Sequence, residues 1–346
     1  MTKRSHAITI RDVARQAGVS VATVSRYINQ SVSVSGEIAG RIQQVMNELN
    51  YAPLMTARNL ATRKTGSVGL LSFTVEYGFF GPLVTGLEKA LKEKGYNLLI
   101  ATFQGDLRGE NTPPIGPQNA DGVVVFSNTL SEERLAEWYG AHFPVVLVHR
   151  TAPHALPIPS VNVENKTASY KMVEHLIEVH GRKQIVFLRA PGHQEDAHYR
   201  EMGYKAALKA HSIVFDPRLI IGGKYNRSAA RQAMEEFIAN NPPRFNAVFA
   251  GDDDLAVSVI SALRNAGLKV PEDVAVVGFD DQRFARLLVP ALTTVHAPTE
   301  EVGWVAGQQM LKLLDGQPAD CMSVLPTEVV IRQSCGCSGN IFVDSH

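Results

Sequence analysis

From Ser67 to Val277 the chain repeats one pattern: a short apolar run of strand composition, then a longer segment with helical periodicity. Ser67–Phe73, Tyr96–Thr102, Gly122–Phe126 and Val145–Val148 read as strands, with helices over Pro82–Gly95 and from Glu132 between them. A second series follows. Its helices are Thr167–Val179, Ala197–Ala210, Ser228–Asn240 and Asp254–Ala266, and its strands Gln184–Leu188, Arg218–Ile221, Ala247–Ala250 and Val274–Val277. Strands separated by helices are joined by crossovers, which make the sheets parallel and cover both faces. The pattern therefore predicts an α/β body of two doubly wound lobes. Ligands of such sheets bind beyond the carboxyl ends of the strands, so the cleft between the lobes is the expected site.

Residues 1–65 are a different kind of chain. They carry nine Lys or Arg against Asp12, Glu37 and Glu48, a net of +6, whereas the other 281 residues carry 25 against 31, a net of −6. A basic head on an acidic body fits a chain that meets a polyanion at one end. Within the head, Thr9 can cap a helix whose apolar face is Ile10, Val13, Ala14 and Ala17; Gly18-Val19 breaks it. Ser20 can cap a second helix from Val21 to Asn29, with Val24 and Ile28 inward. A third runs from Ser35 to Asn50, burying Ile38, Ile42, Val45, Met46 and Leu49. Two short helices joined by a glycine turn make a helix-turn-helix.

The second helix of that motif enters the major groove. Arg26 can donate two bonds to guanine, while Val21 and Ala22 suit a thymine methyl. Thr23, Ser25 and Asn29 can hold phosphates.

The run Ile8-Thr9-Ile10-Arg11-Asp12-Val13-Ala14-Arg15-Gln16-Ala17-Gly18-Val19-Ser20 is followed by Thr23-Val24-Ser25-Arg26, Leu49-Asn50-Tyr51-Ala52-Pro53 and Ala57-Arg58-Asn59-Leu60. It resembles the lactose-repressor/galactose-repressor (LacI/GalR) family of transcription factors, and the likeness covers nearly the whole chain. The resemblance implies a homodimer that binds double-stranded operator DNA as a regulator, most often a repressor, with Thr9, Ser20, Tyr51, Ala57 and Arg58 among the DNA contacts. Pro53 to Leu60 would be a hinge helix that orders on DNA, with Leu60 wedged into the minor groove. Pro53 suits a first helical turn, and about eight residues are too few for a helix to persist alone. An apolar wedge at a base step kinks the duplex.

The resemblance also implies a periplasmic-binding-protein-like body crossed three times by the chain, near residues 165, 295 and 326. The expected division is a DNA-binding domain over 1–52, a hinge and linker over 53–65, an effector-binding and dimerisation domain over 66–338, and a tail over 339–346. The first lobe would take about 66–165 and 296–325, including a last helix at Glu300–Leu314, and the second lobe 166–295 and 326–338. One departure is Gly105–Ala120, with three prolines and three glycines where the family has a helix near its dimer face.

Candidate effector contacts come from strand ends and from matched motifs. Ser127, His149 and Arg150 follow the strands Gly122–Phe126 and Val145–Val148. By motif matching, Phe79 and Phe80 correspond to an aromatic contact of the first lobe, Arg200 to an arginine that grips hydroxyls or carboxylates, Tyr225 to a stacking ring, and Asp252 and Asp280 to polar effector contacts. An arginine, two carboxylates and a ring suit a polyhydroxylated ligand, a sugar or a related metabolite. Asp253 or Asp254 is expected to do no more than cap the following helix, a role Asp252 could share.

Several classes are disfavoured. No dinucleotide fingerprint, Walker loop, nucleophile elbow or paired-histidine zinc motif is present, so no enzyme and no cofactor is expected. The triplet Asp252-Asp253-Asp254 is a weak cation signal, and Cys335-Gly336-Cys337, in a polar tail, is an incomplete metal motif; no metal is expected. Three cysteines make no disulfide framework and fit a reducing cytoplasm. No run approaches the roughly 20 apolar residues of a membrane span, and the first residues lack a signal-peptide core. With no leucine heptad near the end of the chain, a dimer is expected rather than a tetramer.

Overall fold

The computed structural model describes residues 8–29, 34–51, 64–76, 78–104, 111–190, 194–222, 227–240 and 244–339. The chain divides into two compact units, residues 1–66 and 67–346.

The small unit holds α1 (Ile10–Ala17), α2 (Val21–Asn29) and α3 (Gly36–Glu48). Its helix ends are fixed locally. Thr9 donates from its backbone nitrogen and its hydroxyl to Asp12 Oδ2, at 3.0 and 2.7 Å. Gly18, at φ 65°, lets the Val19 N–H turn back onto the Ala14 carbonyl at 3.1 Å, which closes α1. The Ser20 hydroxyl then accepts from the Thr23 N–H at 3.0 Å and starts α2. Val13, Ala14, Ala17, Val24, Ile42 and Val45 close a core between the three helices. The expected hinge, Pro53–Leu60, lies outside the described residues.

In the large unit, the first lobe is built on a six-stranded sheet of order β11-β5-β4-β3-β1-β2, parallel throughout. Its strands are β1 (Ser67–Ser72), β2 (Asn97–Thr102), β3 (Gly122–Phe126), β4 (Val145–Val148), β5 (Ser160–Val163) and β11 (Met322–Leu325). Helices α4 (Phe80–Lys92), α5 (Glu132–Gly140) and α10 (Thr299–Leu314) cover it. Helices α4 and α10 approach closely because Gly86 and Gly303 lack side chains; a Cβ on either would collide with the other helix's backbone. The second lobe has a parallel sheet of order β7-β6-β8-β9. These are β6 (Ile185–Arg189), β7 (Ile220–Gly222), β8 (Ala247–Ala250) and β9 (Ala275–Val277), covered by α6 (Lys166–Glu178), α7 (Glu195–Ala210), α8 (Arg227–Ala239) and α9 (Asp253–Asn265). The chain passes between the lobes at Asn165, after β10 (Thr294–His296), and again before β12 (Glu328–Val330); β10 and β12 pair antiparallel.

Four features differ from the sequence reading. The strands β5, β10, β11 and β12 were not expected; unlike the equally short β4 and β8, each mixes polar with apolar residues or lacks an apolar run of its own. The strand expected at Arg218–Ile221 starts later, because Asp216 caps a short 3₁₀ turn, Pro217–Leu219, ahead of Ile220. Residues 111–120 hold no helix, in line with the departure noted above, and are packed in place: Ile115 is buried against the space left by Gly69, and the Asn119 side chain bonds Gly116 N and Pro114 O. Asp252 caps α9, the role expected first of Asp253 or Asp254. Finally, Cys335 is fully buried in the second-lobe core rather than in a polar tail. No helix among the described residues is long and apolar enough to cross a membrane.

Candidate functional site

On α2, Val21, Ala22 and Arg26 are exposed along one face, with Thr23 and Ser25 half-buried beside them. Val24, one turn away, is fully buried, so the core fixes which face points out. Val21 is 42% exposed. Ser20 and Thr9 serve the helix starts described above, and the Ser20 and Thr23 hydroxyls are 2.8 Å apart. The Tyr27 hydroxyl donates to Gln43 Oε1 at 2.8 Å and braces α2 against α3, a contact the sequence reading missed. Tyr51 is half-buried against the helical core, its N–H bonded to Met46 O at 2.9 Å. The Asn29 side chain, Ala57, Arg58 and Leu60 lie outside the described residues.

The cleft between the lobes of the large unit is lined from the first lobe by Phe79, Phe126, His149 and Thr299. From the second come Gln194, Asp196, Arg200, Asp252, Asp254, Asp280 and Gln282. Parallel strands deliver these groups at their carboxyl ends. His149 follows β4, and Asp280 follows β9. Four non-glycine residues at such ends hold positive φ: Ser127 at 49°, His149 at 56°, Asp280 at 100° and Asp281 at 51°. Left-handed backbone costs a side-chain-bearing residue about 1–3 kcal/mol, and it concentrates where function holds side chains in place.

Arg200 is the hub. It is 6% exposed. Its Nε donates to Asn165 Oδ1 at 2.8 Å, Nη1 to the Gly251 carbonyl at 2.5 Å and Nη2 to Asp280 Oδ1 at 3.1 Å. Its guanidinium carbon sits 3.6 Å over the Phe279 ring centroid. Fixed on three sides by hydrogen bonds and one by a ring, the cation cannot swing to follow a ligand; the ligand must come to it.

The lobes touch across the cleft through α7. His149 Nδ1 lies 2.7 Å from Asp196 Oδ2, and Asn165 Nδ2 donates to the other oxygen at 2.7 Å. Two residues on, Thr151 N donates to Glu195 Oε2 at 2.6 Å, and the Thr151 hydroxyl bonds Glu195 Oε1. Both carboxylates sit in the first turn of α7, where the helix dipole favours negative charge.

The acidic groups are not equivalent. Burial alone would raise the Asp196 carboxyl, but His149, Arg200 and Asn165 together hold it below the ordinary range. Burial, then repulsion from Asp280, pushes Asp252 up to about 7, although one edge of its side chain reaches the cleft. Asp280 is also raised, by burial first, with Arg200 and His149 pulling against it. Asp253 is raised well above its usual value by burial and Asp280. The triplet does not converge on one point. Asp252 caps α9 through Leu255 N at 2.7 Å, Asp253 accepts from Gln282 N and Thr294 Oγ1 at 2.8 and 2.6 Å, and Asp254 pairs with Arg227.

Of the residues singled out from sequence, Phe79, His149, Arg200, Asp252 and Asp280 line this cleft. Phe80 is instead packed in the first-lobe core, and Ser127 is buried in the turn after β3. Arg150 is buried with Nη1 on the Leu130 carbonyl at 2.6 Å. Tyr225 lies outside the described residues. Sequence reasoning missed Asp196, Gln194, Gln282, Thr299 and Phe126. Asp196 was findable, since it stands four residues before Arg200 on one helical face. Gln282 carries an Oε1 that is buried and has no hydrogen-bond partner among the described residues.

A helix-turn-helix and a two-lobed body with a charged cleft, in one chain, define a class: DNA-binding regulators with a small-molecule site. A family profile for bacterial regulatory proteins of the lacI family matches residues 9–53, and one for a periplasmic binding protein-like domain matches 173–335. The HTH-type transcriptional regulator RegA of Clostridium saccharobutylicum is 32% identical over 332 residues, covering 95% of this chain and 99% of its own. The HTH-type transcriptional repressor CytR of Escherichia coli K12 is 31% identical over 336 residues, covering 96% and 97%. Among solved structures, the transcriptional regulator CelR in complex with cellobiose superposes with a TM-score of 0.70 at 28% identity, covering 94% of this chain and 99% of its own. The chain belongs to the LacI family of bacterial regulatory proteins: it is a DNA-binding transcriptional regulator, not an enzyme.

Proposed function

We propose that the protein is a cytoplasmic repressor that binds a palindromic operator as a homodimer and is controlled by a small polyhydroxylated metabolite, a sugar or sugar derivative, held in the cleft. The observation that carries the reading is the pairing of unlike walls. The first lobe offers a flat aromatic surface, Phe79 stacked on Phe126 with centroids 5.3 Å apart. The second offers Arg200, Asp252, Asp280 and the unpartnered Gln282 Oε1. A pyranose presents an apolar face and an equatorial rim of hydroxyls, which need those two surfaces. The cellobiose carried by CelR supports the ligand class, and the repressor role of CytR supports the sign.

Each head presents a short reading face, so a twofold pair of heads reads two half-sites. Arg26 reads one guanine, Val21 and Ala22 meet thymine methyls, Thr23, Ser25 and Asn29 hold phosphates, Ala57 is small enough to permit close approach, and Thr9, Ser20, Tyr51 and Arg58 are further DNA contacts. Leu60 wedges into the minor groove. Dimerisation is supported by exposed apolar pairs on both lobes, Leu99 and Ile100 on the edge strand β2 and Leu287 and Val289 after β9. A ligand in the cleft competes for Asp196 and Arg200, resets the contacts between the lobes and so moves the start of β1, to which each hinge is joined. Coupling is reciprocal: operator changes ligand affinity by the factor by which ligand changes operator affinity.

The test is a thermal-shift screen of the purified chain against sugars, sugar phosphates, polyols and nucleosides, followed by operator binding with each hit. A lobe-bridging ligand raises the melting temperature by mass action. The reading requires a sugar-class hit that alters affinity for a palindromic site; hits confined to other classes, or none that changes DNA binding, overturn it.

A further inference from the structure

Away from the cleft, at the far end of the second lobe, the structure gathers His175, His180, Cys335 and Cys337 so that one donor atom of each lies within 4.8 Å of all the others. We propose that these four residues form a tetrahedral site for zinc, a Cys₂His₂ clip that fastens the end of the chain to α6.

The geometry is close to what the ion needs. Zinc bonds of about 2.05 Å to nitrogen and 2.3 Å to sulfur, at tetrahedral angles, put N and S about 3.6 Å apart. Cys337 Sγ stands 3.3 Å from His180 Nε2 and 3.8 Å from His175 Nε2. The two imidazoles meet edge to face with centroids 5.1 Å apart. Gly181, at φ 62°, closes the turn that follows α6, with its N–H on the Ile177 carbonyl at 3.0 Å. On the opposite side Gly336, at φ 112°, lets both flanking cysteines face the histidines; a Cβ there would strain the backbone and press on the His180 ring at 3.2 Å.

The surroundings suit a cation as well. Thr293 Oγ1 donates to Cys335 Sγ at 3.2 Å, an outer hydrogen bond of the kind that supports a thiolate ligand. Zn²⁺ entering such a site displaces one proton from each thiol to solvent, and two thiolates on a dication leave no net charge to bury. The clip joins residues 157 positions apart, the long closure from which a cross-link gains most. Cys335-x-Cys337 is an incomplete motif in sequence because its partners, His175 on α6 and His180 in the turn after it, stand far earlier in the chain.

The experiment uses the full chain without a histidine tag. Metal analysis after dialysis with zinc is expected to give about one zinc per chain. Cobalt(II) in its place is expected to show the visible bands of a tetrahedral ion with thiolate charge transfer in the near ultraviolet. Thiol labelling supplies an internal control, since Cys321 is exposed and outside the cluster: zinc is to protect Cys337 and leave Cys321 reactive. Cys337→Ser and His180→Ala, at the less buried positions, should each weaken binding by more than the roughly 100-fold that loss of an outer-shell partner can cost. Circular dichroism of the metal-free variants checks that the fold is kept. Octahedral cobalt spectra, equal metal content in the variants, or labelling of Cys337 indifferent to zinc each overturn the site.

Discussion

The two walls of the cleft were assembled by different physical rules. The first-lobe wall is mostly apolar: Phe79 and Phe126 stack on each other and lie against the His149 ring, whose centroid is 6.5 and 5.4 Å away. Its shape is a continuation of the lobe's core. The second-lobe wall is an ionic lattice around Arg200, in which every carboxylate already has a protein partner. One wall can yield to a ligand by a rotamer change; the other is fixed before the ligand arrives. That contrast teaches which lobe sets affinity and which sets fit. Under the proposed function, the second lobe would recognise the ligand and the first would cover it.

The harshest way to break the contrast is Arg200→Ala. It removes the guanidinium set among Asp196, Asp252 and Asp280 and strips Asn165 and Gly251 of their donor. Leaving buried charge uncompensated costs about 3–5 kcal/mol, to be read as a lower urea midpoint together with loss of ligand binding. A variant that loses the ligand but keeps its midpoint would show that the lattice is a binding surface only and not a structural one.

Asp252→Asn should shift stability the other way, with pH as the reporter. A carboxyl raised from its ordinary value to about 7 binds its proton more tightly when folded. Its contribution is nil below about pH 4, turns into a destabilisation that builds between about pH 4 and 7, and is constant above. Asparagine keeps the cap on α9, because its side-chain oxygen still accepts from Leu255 N. The variant is expected to be more stable than the parent at pH 8, by on the order of 2 kcal/mol, and equal to it at pH 4. Asp196 has the opposite sign: held low, it stabilises above about pH 4 and loses that contribution in acid. A difference between the parent and the Asp252→Asn variant that does not change with pH removes Asp252 as its source.

What the sequence discloses follows the same division. The lobes are legible because Val68–Leu71, Val123–Phe126 and Phe187–Leu188 are buried on both faces and read as unbroken apolar runs. The helix-turn-helix is legible because its caps and glycine turn are set by neighbours three to five residues apart. Strands β5, β10, β11 and β12 are not, since each is short and mixes polar with apolar residues, and β11 and β12 pair with strands from much earlier in the chain. The cleft is half legible. Arg200 and Asp280 announce themselves by residue type, whereas the meeting of His149 with Asp196 depends on how two lobes face each other. Phe80 shows the opposite failure: beside Phe79 and alike in composition, it lies on the inward side of α4.

Phe79→Ala sharpens the contrast from the apolar side. Its ring is half-buried and stacked, so truncation should spare the ionic lattice and weaken a polyhydroxylated ligand about tenfold, about 1.4 kcal/mol. Calorimetric titration of the hit from the screen measures it. A loss as large as that of Arg200→Ala would abolish the distinction between recognising and covering.

The mildest probe is Thr151→Ala, which touches the boundary between the walls and neither wall itself. The substitution removes the hydroxyl bond to Glu195 but leaves the backbone N–H to Glu195 Oε2, at 2.6 Å, intact. A part-buried bond to a charged acceptor contributes about 1 kcal/mol or less once its partner keeps another donor. Because that bond spans the lobes, its loss should appear less in unfolding than in ligand affinity and operator release: if the bound state separates Thr151 from Glu195, affinity rises by up to about fivefold; if the free protein also populates an open form without the bond and the ligand selects the form that has it, affinity falls by up to the same factor. The sign of that change distinguishes a cleft that opens on its ligand from one that closes, and an unchanged affinity would mean that Thr151 and Glu195 do not take part in the motion.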